Sequence, residues 1–205
     1  MKTALHLAGL ALVLPACQLP QEPPPEPPTD HESLAPPEVL AGVPVTRAPY
    51  DVVHVNWKHR LDQPYVYLEH EGDYRFVGES IRALLKRVEA GGVHVSGPLF
   101  CLYYDDPGLV PVESLRARVC LPVEAPPTTD PGLANDLLPS TTVAYAVVAG
   151  ATWDVPRAYP GLFEYVSARG WSVDGPVREV YLNLPSVRDP ASLLTEVQVP
   201  WKLRF

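Results

Sequence analysis

The chain has 205 residues, of which 46% are hydrophobic and 20% charged, so it is long enough for one or two globular cores. Its formal net charge of -8 argues against a nucleic-acid-binding protein, because such proteins hold phosphate groups with clustered Lys and Arg. Catalytic and cofactor motifs such as GxSxG, HExxH, the P-loop and CxxC are absent, and the six histidines lack metal-site spacing, so we expect neither a metal nor another cofactor.

The first residues have the pattern of an export signal. Lys2 supplies a positive charge, and the apolar stretch over residues 5–14 is too short to span a bilayer stably. It leads into LPAC, ending at Cys17, which resembles the lipobox of bacterial lipoproteins. The pattern predicts a signal peptide over residues 1–16 and lipidation of Cys17, with an ordinary secretory signal and a chance cysteine as the alternative.

Residues 17–47 are rich in proline, a composition that cannot bury a core and favours an extended spacer. The resemblance to lipoproteins implies that Gln18, rather than Asp, favours sorting to the outer membrane in a cell with two membranes. We therefore expect an exported protein that is lipid-anchored to the cell envelope, on the periplasmic face if there are two membranes. We expect a monomer.

The rest of the chain contains an internal similarity. Residues i and i+78 correspond without a gap from 64 to 123, and 16 of these 60 positions are identical, far more than chance would give. This pattern predicts a duplicated unit, with repeat one at about 50–123, a connector at 124–139 and repeat two at about 140–203.

Each repeat is predicted to run strand, helix, strand, strand. The expected elements are strands at 65–69, 99–105, 115–122, 177–183 and 193–200, a helix at about 75–90, a second helix with its apolar face between Val155 and Val166, and an extra leading strand at 50–57. The fold class is therefore α+β.

Alternation along the strands predicts two faces for the sheet. We expect one face to pack against the helices; it carries Phe100, Leu102, Tyr104, Leu115, Ala117, Val119, Leu121, Val180, Leu182, Leu193, Thr195, Val197 and Val199. We expect the other to line the space between the repeats; it carries Cys101, Tyr103, Asp105, Arg116, Arg118, Cys120, Glu179, Tyr181, Asn183, Leu194, Glu196 and Gln198. The second face is less apolar and rich in tyrosine and carboxylates, so we expect a binding site there.

Four stretches carry a family resemblance: YVYLEHEGDY (65–74), GPLFCLYYDDP (97–107), ARVCLPV (117–123) and GPVREVYLNLP (175–185). With the duplication, they resemble the GyrI-like small-molecule-binding family, also seen as the effector-binding domain of multidrug-sensing transcription regulators. The resemblance covers about residues 48–203. It implies a pseudo-twofold pair of units that form a continuous antiparallel sheet, with helices on one face and a ligand cleft at the junction.

The resemblance implies that Glu179 is the acidic residue of the cleft and faces lipophilic cations among aromatic rings. The candidate aromatic residues are Tyr67, Tyr103, Tyr145, Trp153 and Tyr181. Glu196 is expected either to be a second carboxylate of the site or to pair with a surface cation. Cys101 and Cys120 are expected either to form a disulfide in an oxidising compartment or to remain free thiols.

These observations favour a lipid-anchored protein that binds an amphipathic, aromatic or cationic small molecule between the repeats. One alternative is a hydrolase of reactive small molecules with Glu179 as acid or base, because some members of the family are hydrolases. Another is a protein-interaction module of the envelope whose cleft is filled by its own side chains. We expect no nucleic-acid partner, since the sequence has no DNA-binding pattern.

Overall fold

The computed structural model describes residues 44–125, 132–184 and 189–204, which belong to one compact unit. The predicted signal peptide, Cys17 and most of the predicted spacer lie outside the described residues. Within the described part of the chain, no helix is both long and apolar enough to cross a membrane.

Ten strands and two helices follow one another in the described residues. They are β1 (Val45–Thr46), β2 (Asn56–Arg60), β3 (Gln63–Glu71), α1 (Val77–Gly91), β4 (Phe100–Tyr103), β5 (Arg116–Pro122), β6 (Ala134–Leu138), β7 (Thr141–Ala149), α2 (Tyr159–Ala168), β8 (Trp171–Val173), β9 (Val177–Tyr181) and β10 (Leu194–Leu203). The leading strand β2 therefore lies later than the expected 50–57. The short strands β1, β6 and β8 were not expected from the sequence.

The strands form one sheet in the order β1-β7-β10-β9-β4-β5-β3-β6, with β2 beside β7 and β8 beside β10. All of these pairs are antiparallel except β1 with β7. The predicted α+β class is confirmed. The order β3-α1-β4-β5 recurs as β7-α2-β9-β10, and the central β4–β9 pair joins the two halves. The duplication of the sequence itself stays a prediction.

Both helices pack on one face of the sheet. Val77, Leu84 and Val88 of α1 belong to one buried cluster, and Leu162 and Val166 of α2 belong to another. Burial of each such side chain contributes about 1.5–3 kcal/mol, so these stripes hold the helices on the sheet. The left-handed residue Gly92, with φ of 61°, ends α1.

The predicted orientation of the two central strands is wrong. Val119 packs in the buried cluster that contains α1, as expected. Cys101 is the cross-strand partner of Val119 in the β4–β5 ladder and of Glu179 in the β4–β9 ladder, so the three side chains lie on the same face. The helix face, defined by Cys101, Val119, Glu179 and Val197, therefore includes the side chains expected to point away from the helices. The opposite face carries Phe100, Cys120, Arg178 and Val180.

The reason for this reversal is that the opposite face has an apolar core of its own. Tyr65, Phe100, Leu102, Cys120 and Val180 form it. Where both faces of a strand are covered, both sets of alternating residues are apolar, and hydrophobicity does not tell which set meets the helices.

The two outer edges of the sheet approach each other at one corner. The end of β2 lies at the β7 edge and the end of β6 at the β3 edge. The Arg60 guanidinium donates to the carbonyl oxygens of Leu138, at 3.5 Å, and Pro139, at 2.6 Å. The opposite face is therefore partly enclosed at this corner.

Candidate functional site

Glu179 lies at the centre of the molecule, in the middle of β9 and on the helix face. Its side chain is buried, with 2% of the residue exposed. Its cross-strand neighbour on β4 is Cys101, 78 residues earlier, so the two facing residues are those that the internal similarity aligns. The carboxylate therefore sits where the two halves of the sheet join.

Three tyrosine hydroxyl groups surround the Glu179 carboxylate. The Tyr159 Oη donates to Oε1 at 2.6 Å, and the Tyr181 Oη donates to Oε2 at 2.8 Å. The Tyr103 Oη is 3.2 Å from the Tyr181 Oη. An ionised carboxylate only accepts hydrogen bonds, so the Tyr181 hydroxyl donates its one hydrogen to Glu179. In the contact between Tyr103 and Tyr181, Tyr103 is therefore the donor. The network directs neutral O–H dipoles towards the carboxylate.

This network supplies hydrogen bonds but no positive charge. Among the described residues, no Lys, Arg or His forms an ion pair with Glu179. Burial raises the pKa of Glu179, and the hydrogen bonds from Tyr159 and Tyr181 lower that pKa in part. Burial also raises the pKa of the neighbouring Cys101 thiol to about 12, so this thiol is neutral at physiological pH.

Aromatic rings from both halves flank the cluster. The Tyr159 ring meets Phe163 edge-on at 6.2 Å, and the Tyr74 ring meets Tyr103 edge-on at 4.9 Å. The Tyr74 hydroxyl donates to the Arg116 carbonyl oxygen at 2.8 Å, which fixes that ring beside the sheet. Tyr159, Phe163, Tyr74 and Tyr103 all keep part of their surface exposed, whereas Glu179 does not.

Local sequence explains how these groups converge. Gly175 has a φ of 136°, and a Cβ there would lie 3.2 Å from the Pro200 side chain, so glycine is needed just before β9. Tyr159 is the first residue of α2, and helical side chains lean towards the N-terminus of their helix. Phe163 follows at i+4 on the same helical face.

The structure brings together three of the predicted site residues, Glu179, Tyr181 and Tyr103. It adds Tyr159 and Tyr74, which were not predicted as site residues. Tyr159 was recognised only as part of the apolar stripe of α2. A tyrosine in a stripe of otherwise aliphatic and phenylalanine side chains was the available signal, because a buried hydroxyl needs a partner.

The other predicted aromatic residues lie elsewhere, which corrects that part of the site. Tyr67 and Tyr145 are on the opposite face, since they pair with Cys120 and Gln198 respectively. They lie under cations: the Arg118 guanidinium carbon is 4.2 Å from the Tyr67 ring centre and the Lys58 Nζ is 4.4 Å from that of Tyr145. Trp153, before α2, is 73% exposed.

Glu196 is not a second carboxylate beside Glu179. It lies on the opposite face, paired in the ladder with Val180. The Lys58 Nζ donates to its Oε1 at 2.6 Å, which agrees with the alternative that it pairs with a cation.

Of the two alternatives for Cys101 and Cys120, the structure has the free thiols rather than the disulfide. Cys101 lies on the helix face and Cys120 on the opposite face, and both thiols are free. In the described parts of the chain, no three His, Cys, Asp or Glu residues are close enough to hold a metal ion.

Comparisons with known proteins agree with this architecture. The sequence model of the GyrI-like small molecule binding domain matches residues 55–202. The C-terminal domain of EcmrR has a TM-score of 0.67 at 18% identity, with 75% of this chain and 99% of that domain covered. A chain of EcmrR in a DNA complex has a TM-score of 0.66 at 18% identity, with 74% of this chain covered, and this chain spans 58% of that chain.

A hydrolase from Listeria innocua has a TM-score of 0.51 at 12% identity, with 80% of this chain and 96% of that chain covered. At these identities the structural likenesses show the fold alone. No curated protein sequence matches the chain significantly. Because the family match extends over residues 55–202, most of the described fold, the chain belongs to the GyrI-like small-molecule-binding family.

Proposed function

We propose that this domain binds an amphipathic organic cation, with Glu179 as its counter-charge and tyrosine and phenylalanine rings as its walls. The observation that carries the proposal is a buried carboxylate that accepts hydrogen bonds from neutral tyrosine hydroxyl groups and forms no ion pair among the described residues. A buried carboxylate without a counter-charge is costly. A bound cation would offset this cost, and cations also bind well against aromatic rings.

The ligand displaces the Tyr159 hydroxyl from Glu179. The ring of Tyr159 is partly exposed, whereas Tyr181 is 3% exposed and Tyr181 Oη is bonded to both Glu179 and Tyr103. Displacement of the Tyr159 hydroxyl frees Oε1 for a cation and leaves Tyr181 on Oε2. The ring of Tyr159 and that of Phe163 then contact the apolar part of the ligand.

Binding without covalent chemistry is the simpler reading of this cluster. The Cys101 thiol is beside Glu179, but burial raises its pKa to about 12, and a protonated thiol is a poor nucleophile. The tyrosine hydroxyl groups are engaged as donors to the carboxylate.

The test compares two probes of the same shape and opposite charge, tetraphenylphosphonium and tetraphenylborate. We expect isothermal titration calorimetry to detect binding of the cation alone to the wild-type protein. Glu179→Gln should weaken cation binding at least about tenfold, while Glu196→Gln, on the opposite face, serves as the matched control and should change it little. Equal binding of the cation by wild type and Glu179→Gln would disprove the role of Glu179.

We also propose that the domain is exported and held at the cell envelope by lipid on Cys17, with the proline-rich stretch that follows Cys17 as a spacer. The lipobox-like LPAC and the apolar stretch before it support this proposal. Metabolic labelling with an alkyne fatty acid should label the wild-type chain and leave Cys17→Ser unlabelled. Equal labelling, or no labelling of either chain, would contradict the anchor without bearing on Glu179.

A further inference from the structure

A cavity of about 290 Å³ lies on the opposite face of the sheet, at the corner where the outer edges approach each other. Arg60 and Arg178 line it together with the polar side chains of Ser140 and Gln198. Leu102 and Leu138 contribute apolar surface. The cavity is separated by the sheet from the Glu179 cluster.

Arg178 is a buried cation without a matching anion. Only 7% of the residue is exposed. Its two terminal nitrogens donate to the amide oxygens of Gln198, at 3.4 Å, and Gln63, and its guanidinium carbon lies 4.0 Å from the Phe100 ring centre. Its Nε is buried with no hydrogen-bond partner, and no described carboxylate forms an ion pair with it. Burial, and to a smaller extent the nearby Arg60 charge, lowers the pKa of Arg178 to about 10.

Arg60 is the second cation of the cavity. Its hydrogen bonds go only to backbone carbonyl oxygens, those of Leu61, Leu138 and Pro139. Burial lowers the pKa of Arg60, and the nearby Asp62 carboxylate opposes this shift in part. No ion pair joins Arg60 and Asp62, and the Asp62 Oδ1 accepts the Ser140 N–H at 2.5 Å. Arg60 therefore keeps its charge without a carboxylate bound to it.

Two carboxylates near the cavity, Asp174 and Glu196, are already paired with lysines. Asp174 lines the cavity, and the Lys202 Nζ donates to its Oδ1 at 2.8 Å. Glu196, close enough to affect Arg178, accepts from the Lys58 Nζ at 2.6 Å and from the Gln198 Nε2 at 2.5 Å. The two arginines thus give the cavity an excess of positive charge.

We propose that this cavity is a second binding site, for a small organic anion whose carboxylate or similar oxyanion group is held by Arg178 and Arg60. Guanidinium groups bind such oxyanions with two parallel hydrogen bonds, and the Arg178 Nε has no hydrogen-bond partner that would compete with such a ligand. The apolar part of the ligand lies against Leu102 and Leu138. The volume is at the lower end of ligand pockets, which limits the ligand to about the size of a benzoate ion.

The test uses benzoate and its neutral analogue benzamide in calorimetric titrations and thermal-shift measurements. We expect benzoate to bind the wild-type protein and raise its melting temperature, and benzamide to do neither. Arg178→Met should weaken benzoate binding at least about tenfold and Arg60→Gln several-fold, since each removes one of the two cations. The control, Arg82→Gln, changes an exposed arginine of α1 and should bind benzoate as the wild type does.

Absence of benzoate binding to wild type, or unchanged binding in both Arg178→Met and Arg60→Gln, overturns the proposal. If Arg178→Met does not fold, Arg60→Gln decides alone, because Arg60 lies at the end of an edge strand. Binding of sulfate or inorganic phosphate without benzoate also overturns it, since the apolar walls then play no part. Glu179→Gln should leave benzoate binding unchanged, so this test and that of the cation site fail independently.

Discussion

Arg178 and Glu179 are neighbours in β9, yet they project from opposite faces of the sheet into different surroundings. Glu179 is held by tyrosine hydroxyl groups, and Arg178 by glutamine amide oxygens and an aromatic ring. Both are buried, and neither has an ion-pair partner among the described residues. The fold thus satisfies most hydrogen bonds of two buried charges but leaves both charges without a counter-ion among the described residues, and both proposed binding sites rest on this feature.

The two charges also break the internal similarity of the chain. At an offset of 78, Glu179 corresponds to Cys101 and Arg178 to Phe100. The first half thus places a neutral thiol and an aromatic ring where the second half places two charges. The two halves of the sheet therefore differ in charge at the β4–β9 pair that joins them.

The largest expected change in the free energy of unfolding comes from the tyrosine network around Glu179. Tyr181→Phe removes the donor to Glu179 Oε2 and the acceptor of Tyr103, so we expect the free energy of unfolding at neutral pH to fall by about 2 kcal/mol. Urea denaturation measures it. Tyr67→Phe, on the opposite face, is the control and should cost less than about 0.5 kcal/mol. A similar loss in both variants would mean that the network does not stabilise the carboxylate.

The pH dependence of stability is the next effect. Because the pKa of Glu179 is raised on folding, the folded state binds more protons than the unfolded state above the ordinary glutamate pKa of about 4.3. The stability contribution is therefore fully present below that pH and is lost as pH rises through the folded-state pKa, by at most about 1.4 kcal/mol per pH unit. Urea denaturation from pH 4 to pH 8 should show this decline in wild type relative to Glu179→Gln. Parallel curves for the two proteins would contradict it.

A smaller change, an increase in the free energy of unfolding, is expected for Arg178 on the opposite face of the sheet. Arg178→Met removes a buried cation that has no counter-ion and keeps much of the side-chain volume, so we expect the free energy of unfolding to rise by about 1 kcal/mol. Arg82→Met, an exposed site, is the matched control and should change little. Destabilisation by Arg178→Met, measured by urea denaturation, would show that the glutamine contacts outweigh the cost of burial.

The smallest effect is expected at Trp153. Its side chain is largely exposed and lies in the turn before α2, so Trp153→Ala should change the free energy of unfolding by less than about 0.5 kcal/mol. It should also leave tetraphenylphosphonium affinity unchanged in calorimetry, in contrast to Glu179→Gln. A large loss of cation affinity in Trp153→Ala would show that Trp153 contributes to the binding site.

Much of the secondary structure was predictable because the amphipathic patterns are local. The helix expected at about 75–90 lies at Val77–Gly91 and ends before the left-handed Gly92. The strand Ala134–Leu138 was not predictable, since its residues lack alternation and were assigned to a connector. It forms because the edge of β3 offers unpaired backbone groups, which is a property of the assembled sheet.

The sequence by itself determined the family and the sets of residues that share a strand face, such as Glu179 with Tyr181 and Cys101 with Tyr103. Only the tertiary structure decided which set meets the helices, and with it the separation of Cys101 from Cys120 and the approach of Tyr159 to Glu179. The physical reason is that alternation divides the residues of one strand into two sets but does not determine which set faces the helices. Because this sheet has an apolar cluster on each face, the choice depends on packing across the whole fold.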